Sequence, residues 1–160
     1  MVIALDVKVH GRLADRPRTG RAAQMTAQTR DMRGLLVIGH GSRRDEANAT
    51  VRALAAALAA EPTVDAGAPP AWAAVEPAFL DVLRPDIADG YAALVAAGCT
   101  QIVAHPFFLF EGKHTARDIP EALDAARATH PGTSWTMTEP LGLHPGVITT
   151  VRARIADRLA

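Results

Sequence analysis

A single cysteine, Cys99, excludes an intramolecular disulfide and any cluster of thiolate metal ligands. That economy fits a reducing, cytoplasmic setting. An excess of either charge is missing too: 17 Lys and Arg are balanced by 17 Asp and Glu. Nothing in the composition therefore calls for a nucleic acid or a membrane surface as partner, and electrostatic steering must come from a local patch. No apolar run approaches the ~18 residues that span a bilayer. The first predicted strand is followed by neither a G-x-G-x-x-G nor a P-loop, so nucleotide binding by those routes drops out. Each signature described below occurs once, so the chain has no visible repeat.

What is present suits one folded unit. At 160 residues, 49% hydrophobic and 21% charged, the chain can build one core but not two comfortable ones. Residues 1–33 stand apart. They carry seven Lys or Arg against three Asp, no serine and no sustained apolar period. They also lack the apolar core of a secretory signal. They read as a flexible extension, dispensable for folding, with Met32 as a natural start just before the first strand. The folded domain is then expected over residues 34–160.

From Gly34 strands and helices alternate. Gly34–Gly39 is a short continuous apolar run, the pattern of a strand buried on both faces. A helix is expected over Arg43–Ala60, broken by the Pro- and Gly-containing segment Glu61–Pro70. Ala71–Leu80 reads as a second strand. Pro85–Ala97 reads as a helix with Pro in its first turn and Gly98 just past its end. Thr100–Phe110 is the most apolar strand, followed by a helix over Ala116–Thr129. Ser134–Glu139 alternates as a fourth strand. Gly146–Leu159 closes as a helix with Val147, Val151 and Ile155 on one stripe. This order predicts an α/β fold of three layers: a mainly parallel four-stranded sheet with helices on both faces.

In such sheets ligands bind beyond the carboxyl ends of the strands, and the unusual residues fall there. The first strand runs into His40-Gly41-Ser42-Arg43-Arg44 and the second into Phe79-Leu80-Asp81. The third runs into Phe107 to His114 and then Asp118, and the fourth into Glu139 to Pro145. Gly39 and Gly41 permit a sharp turn around His40, and Ser42 is placed to cap the helix. By itself His40 reads either as functional or as incidental to a capped turn, and His114 equally as a surface histidine. Together they suggest a site of two neutral imidazoles suited to Co, Ni, Fe or Zn. His10, His105 and His130 read as ordinary histidines, and Cys99 as a small buried hydrophobe.

Four segments carry a resemblance. LLVIGHGSR at Leu35–Arg43, VEPAFLDVLRPDI at Val75–Ile87, GCTQIVAHPFFLFEGKHTARDIP at Gly98–Pro120 and EPLGLHP at Glu139–Pro145 follow one another in order. By them the chain resembles the class II chelatases of the CbiX and SirB type, the sirohydrochlorin chelatases, from Gly34 to about Leu159. The resemblance implies a lyase that inserts a divalent metal, Co²⁺, Fe²⁺ or Ni²⁺, into a tetrapyrrole on the way to cobalamin or siroheme. The metal arrives as substrate, and no cofactor is permanently bound.

The same resemblance implies residue roles. His40 and His114 hold the metal and serve as catalytic residues. Asp81 stands where the family carries the glutamate of an F-L-E segment, and is counted with them as catalytic, either as a partner that orients a histidine or as a proton acceptor. Glu76, an odd step away along the strand, faces the opposite side. Sirohydrochlorin is a flat apolar ring edged with carboxylates, so its site needs an apolar slot and a cationic rim. Phe110, with Phe108, Leu109 and Leu143, suits the slot, and His144 a wall. Ser42, Arg43, Arg44, Lys113 and Arg117 suit the rim. Larger members of the family carry two such units in one chain, while short members pair as homodimers, and one HGS with one GKH fits the short form. A metal-binding carrier without catalysis would use the same histidines. A histidine phosphatase would need Arg where this chain has Gly39.

Overall fold

The computed structural model describes residues 32–60 and 72–159. The expected N-terminal extension, residues 1–31 of it, and the break at Glu61–Pro70 lie outside those residues. The elements run β1 (Arg33–Gly39), α1 (Asp45–Ala60), β2 (Ala74–Phe79), α2 (Ile87–Ala96), β3 (Gln101–Pro106), α3 (Ile119–Thr129), β4 (Ser134–Met137) and α4 (Pro145–Leu159). All strand pairs are parallel, in the order β2-β1-β3-β4. The expected three-layer α/β unit is the observed one.

The apolar run at β1 takes the central place because only there are both faces covered. Leu36 and Ile38 point to one face and meet Tyr91 and Leu94 of α2 and Leu123 of α3. Leu35 and Val37 point to the other and meet Val51 and Ala55 of α1, together with Phe79. Burying a side chain of this size contributes about 1.5–3 kcal/mol, so this strand anchors the unit. Cys99 is buried with them, and burial pushes its thiol pKa up, in keeping with an inert small hydrophobe.

Four of the boundaries that differ from the sequence expectation do so for a plain local reason. α1 starts at Asp45 rather than Arg43, because both backbone polar groups of Ser42 are taken by the Asn48 side chain. α2 starts at Ile87 behind an Asp86–Asp89 capping box. Pro85 stays outside it, its carbonyl accepting from Phe79 N–H at 2.9 Å. β3 ends at Pro106, where Phe108 N–H turns back onto the Pro106 carbonyl at 2.9 Å and takes Phe108 to Phe110 off the sheet. The helix expected from Ala116 starts at Ile119, after a wider turn over His114–Asp118.

The helices do not cover the two faces equally. α2 and α3 lie on one face, and α1 lies on the other over β1 and β2. α4 forms as expected, yet none of its residues is buried among the described residues. No described helix is long and apolar enough to cross a membrane.

Candidate metal site

The strand order reverses direction at β1, with β2 on one side and β3 on the other. The crevice at the carboxyl ends of β1 and β3 is thus the place where a ligand belongs in an open parallel sheet. His40 is the first residue beyond β1, exposed at that edge. Its loop is held from two sides. The β1–β2 ladder continues past the strands: Leu80 N–H donates to Gly39 C=O and Asp81 N–H to His40 C=O, each at 3.0 Å. Gly41 has φ +92°, and a Cβ there would run into the Asp81 carbonyl oxygen, so only glycine fits. On the other side Asn48, 1% exposed, accepts from Ser42 N–H at 2.9 Å and donates to Ser42 C=O at 2.8 Å.

His114 arrives from the loop after β3. It opens a turn wound one residue wider than an α-helix, with Ile119 N–H donating to the His114 carbonyl five residues back. Such turns occur often at functional sites. Thr115, buried beneath it, accepts from Gly112 N–H at 2.8 Å and donates to Gly112 C=O at 3.0 Å. Asp118 closes the turn, its Oδ2 lying 2.8 Å from Nδ1 of His114.

The two rings meet edge to face with centroids 5.0 Å apart. A metal bound to an imidazole nitrogen at about 2.0–2.1 Å lies about 3.2 Å from the ring centre, so two imidazoles on a tetrahedral ion sit about 5 Å apart. The observed separation matches. With Nδ1 donating to Asp118 in one ring and to Gly41 C=O at 3.2 Å in the other, both Nε2 lone pairs remain free. Phe108 backs the pair, its ring 6.3 Å from His40.

The remaining expected residues fall into three groups. Asp81 adjoins His40 through backbone, but its Oδ1 accepts from Val82 N–H at 2.7 Å and so supports a loop in which Val82 has φ 70°. Among the described residues no three His, Cys, Asp or Glu side chains gather to hold an ion. Arg43, Arg44 and Lys113 are exposed on the loops that carry the histidines. Arg117 points along its own helix to Glu121, Nε to Oε1 at 2.9 Å, and Ser42 Oγ accepts from Arg44 N–H at 3.1 Å. Phe110, 77% exposed, and Leu143, 87% exposed, stand out from the surface. His105 and His130 lie elsewhere, on Thr138 and Tyr91 respectively.

Two residues matter more than the sequence suggested. Asp118, just before Ile119-Pro120, reads in sequence either as a helix cap or as a substrate contact, yet it makes no capping hydrogen bond and holds His114 instead. Its spacing of four from His114 on a helical segment was the available signal. Asn48 gave no signal in an alanine-rich helix. A cavity of about 920 Å³ opens between the loops after β3 and β4 and the start of α4, lined by Phe107, Leu109, Leu141, Leu143 and Val147 among others; neither His40 nor His114 lines it. His144 also lines it, its Nδ1 accepting from Gly146 N–H at 3.1 Å.

Comparison with known proteins gives a consistent set of likenesses. The family model described as CbiX matches residues 34–158. The sirohydrochlorin ferrochelatase of Arabidopsis thaliana chloroplasts is 34% identical over 130 residues, 81% of this chain and 54% of that one. The sirohydrochlorin cobaltochelatase of Methanothermobacter thermautotrophicus is 29% identical over 141 residues, 79% of this chain and 92% of that one. Among solved structures, the sirohydrochlorin chelatase SirB from Bacillus subtilis subspecies spizizenii, in complex with cobalt, superposes with a TM-score of 0.68 at 29% identity. That match covers 79% of this chain and 50% of SirB. The chain thus spans about half the length of the plant and Bacillus proteins.

Proposed function

Since the chain belongs to the CbiX family, we propose that it is a sirohydrochlorin chelatase, inserting Co²⁺ or Fe²⁺ into that tetrapyrrole. The observation that carries this reading is the His40–His114 pair, whose 5.0 Å ring separation suits one shared ion. Two protein ligands leave open positions for water and then for ring nitrogens, as a transfer site requires. A closed four-ligand cage would hold the ion instead.

Proton balance supports the same pair. Insertion of a divalent ion replaces two pyrrole N–H protons. As His40 and His114 release the ion, each regains one Nε2 lone pair, so two protons leave the ring and two imidazoles are free to accept them. Asp118 keeps the His114 ring in the donating-Nδ1 tautomer before transfer and faces the imidazolium after it. The apolar cavity between the loops after β3 and β4 receives one face of the macrocycle, and Arg43, Arg44 and Lys113 meet its carboxylates. Phe110 joins the apolar side. Ser42 shapes the loop through its hydrogen bonds to Arg44 and Asn48, and Asp81, beyond β2, supports it through its backbone N–H, which donates to His40 C=O.

One unit supplies one wall of such a cleft, so the active form we propose is a homodimer. Its mass in sedimentation should be twice the 16.9 kDa of the chain.

The activity test uses purified protein, sirohydrochlorin and Co²⁺, Fe²⁺ or Ni²⁺, followed by absorbance of the metallated ring. Wild type should insert metal. His40→Ala and His114→Ala should each lose orders of magnitude in rate with circular dichroism unchanged, because both residues lie on exposed loops. His130→Ala should change the rate little. Wild-type insertion rates in both histidine variants would move the metal site elsewhere. Tight metal binding without insertion would make the protein a carrier.

A further inference from the structure

An exposed valine ordinarily needs no explanation, but Val82 does. It is 54% exposed and holds φ 70°, a backbone state that a β-branched side chain adopts only under strain. Leu83 N–H donates to Asp81 C=O at 2.8 Å, two residues back, which makes Val82 the tip of a three-residue turn. Such turns with a positive φ at the centre are rare and strained. The neighbours force it. Asp81 is fixed from both sides: its N–H donates to His40 C=O at 3.0 Å, and its own carbonyl lies against Gly41. Leu80 packs on the core cluster beneath α2 and α3, whereas Leu83 packs on the cluster beneath α1. The chain therefore doubles back within one residue, and glycine would do so without strain. The valine gains the fold little in return, since it stays exposed. A local rule broken with no compensating contact marks a functional position.

Val82 also belongs to a row. In the sheet order β2-β1-β3-β4, the loops at the carboxyl edge carry Val82, then His40, then Leu109, Phe110 and His114, then Leu143. The four apolar residues are between 52% and 87% exposed. The histidine pair thus stands inside a line of exposed apolar groups. Neighbouring strands lie about 4.8 Å apart, so the line crosses about 14 Å. A bare ion needs none of that span. A wide, flat, apolar ring centred on the ion needs contacts on both sides of it. On the β2 side, Val82 is the one large exposed apolar residue among the described residues of that loop.

We propose that Val82 contacts the substrate: its isopropyl group bears on the periphery of the tetrapyrrole on the β2 side of His40, opposite the loop after β3. The inference rests on the chelatase reading above and adds to it a residue that sets ring affinity. The contact lies away from the ring nitrogens and is the same before and after metal enters. It therefore strengthens binding and leaves the rate of the chemical step alone. The strain held at Val82 is stability given up for that contact.

The test uses the full 160-residue chain as Val82→Gly, Val82→Asn and Val82→Leu. Glycine and asparagine accept the left-handed backbone but remove the isopropyl group. Both should raise the melting temperature by about 2–4 °C. Both should also raise the Kd for metal-free sirohydrochlorin, read from its fluorescence, about tenfold. KM should rise alike, with kcat within about twofold of wild type. Calorimetric affinity for Co²⁺ alone should stay at the wild-type value, because the histidine pair is untouched. Leucine, apolar but still strained, should keep ring affinity near wild type without the gain in melting temperature. An unchanged Kd for the ring in the glycine and asparagine variants would overturn the contact and leave the chelatase reading intact. A melting temperature that falls in both would overturn it too, since Val82 would then serve the fold. So would a loss of Co²⁺ affinity alongside the weaker ring binding, which would report a displaced His40 loop. A wild type that binds the ring, weakens as expected in the two variants and yet inserts no metal would support the contact and sink the chelatase reading. A wild type that does not bind the ring would sink both.

Discussion

Nδ1 of His114 lies 2.8 Å from Oδ2 of Asp118, four residues further on, inside a turn wound wide enough to bring them together. The contact assigns the ring a direction: the nitrogen held by the carboxylate donates, and the lone pair of the other is left free. Metal sites depend on such partners nearly as much as on the ligands themselves.

Asp118→Ala should therefore lower Co²⁺ affinity about 10- to 100-fold, measured by calorimetry, with little change in melting temperature. Asp118→Asn, which still accepts a hydrogen bond through its amide oxygen, should fall between wild type and Ala. Equal affinity in all three proteins would reduce the contact to a surface ion pair.

Asn48→Ala should destabilise the fold and loosen the loop that carries His40. It leaves the N–H and C=O of Ser42 without their partner, and an unsatisfied buried group costs about 1–3 kcal/mol. Urea denaturation gives the stability and the insertion assay the loop. Asn48→Asp should also destabilise, because a carboxylate cannot donate to the Ser42 carbonyl. An unchanged midpoint in both variants would show that water replaces the clamp without loss.

Gly41→Ala should be worse tolerated than alanine at Gly112, where a Cβ meets nothing within 4 Å. At Gly41 the backbone is left-handed and the Asp81 carbonyl fills the space, so strain of about 1–3 kcal/mol adds to a displaced loop. Thermal unfolding of the two variants compares them directly, and matching melting temperatures would contradict the packing of the β2 loop on the HGS turn.

His105 gives stability a slope in mild acid. Burial holds its imidazole pKa below the ordinary value, and Nδ1 pairs with Thr138 Oγ1 at 2.7 Å. The unfolded chain takes up a proton near pH ~6.5 while the folded chain resists it. The contribution is complete above the unfolded pKa, and is lost as pH falls from there towards the lower folded pKa. Urea midpoints at about pH 7.5 and about pH 5.5 should differ more in wild type than in His105→Gln. The same difference in both would assign the slope to other groups.

Much of this was written in local pattern. The continuous apolar run of β1, the alternation of strand and helix and the glycines around His40 each report on residues a few positions apart. Such signals survive without knowledge of what packs against them. They placed four strands and four helices, put His40 and His114 at one edge of the sheet, and carried the likeness to the CbiX family. Element ends were less legible, because they depend on distant partners. Pro85 was expected inside a helix and instead serves β2, and Phe108 to Phe110 read as strand until Pro106 turned the chain away.

By itself, then, the sequence determined the class of fold and pointed to the two histidines and the chemistry they would suit, since periodicity and residue type act locally. Only the tertiary structure decided that the rings stand 5.0 Å apart, that Asp118 serves His114 rather than a helix end, and that buried Asn48 clamps the loop. It also decided that the stripe on α4 goes uncovered among the described residues. Each of those depends on which distant segments a parallel sheet brings side by side.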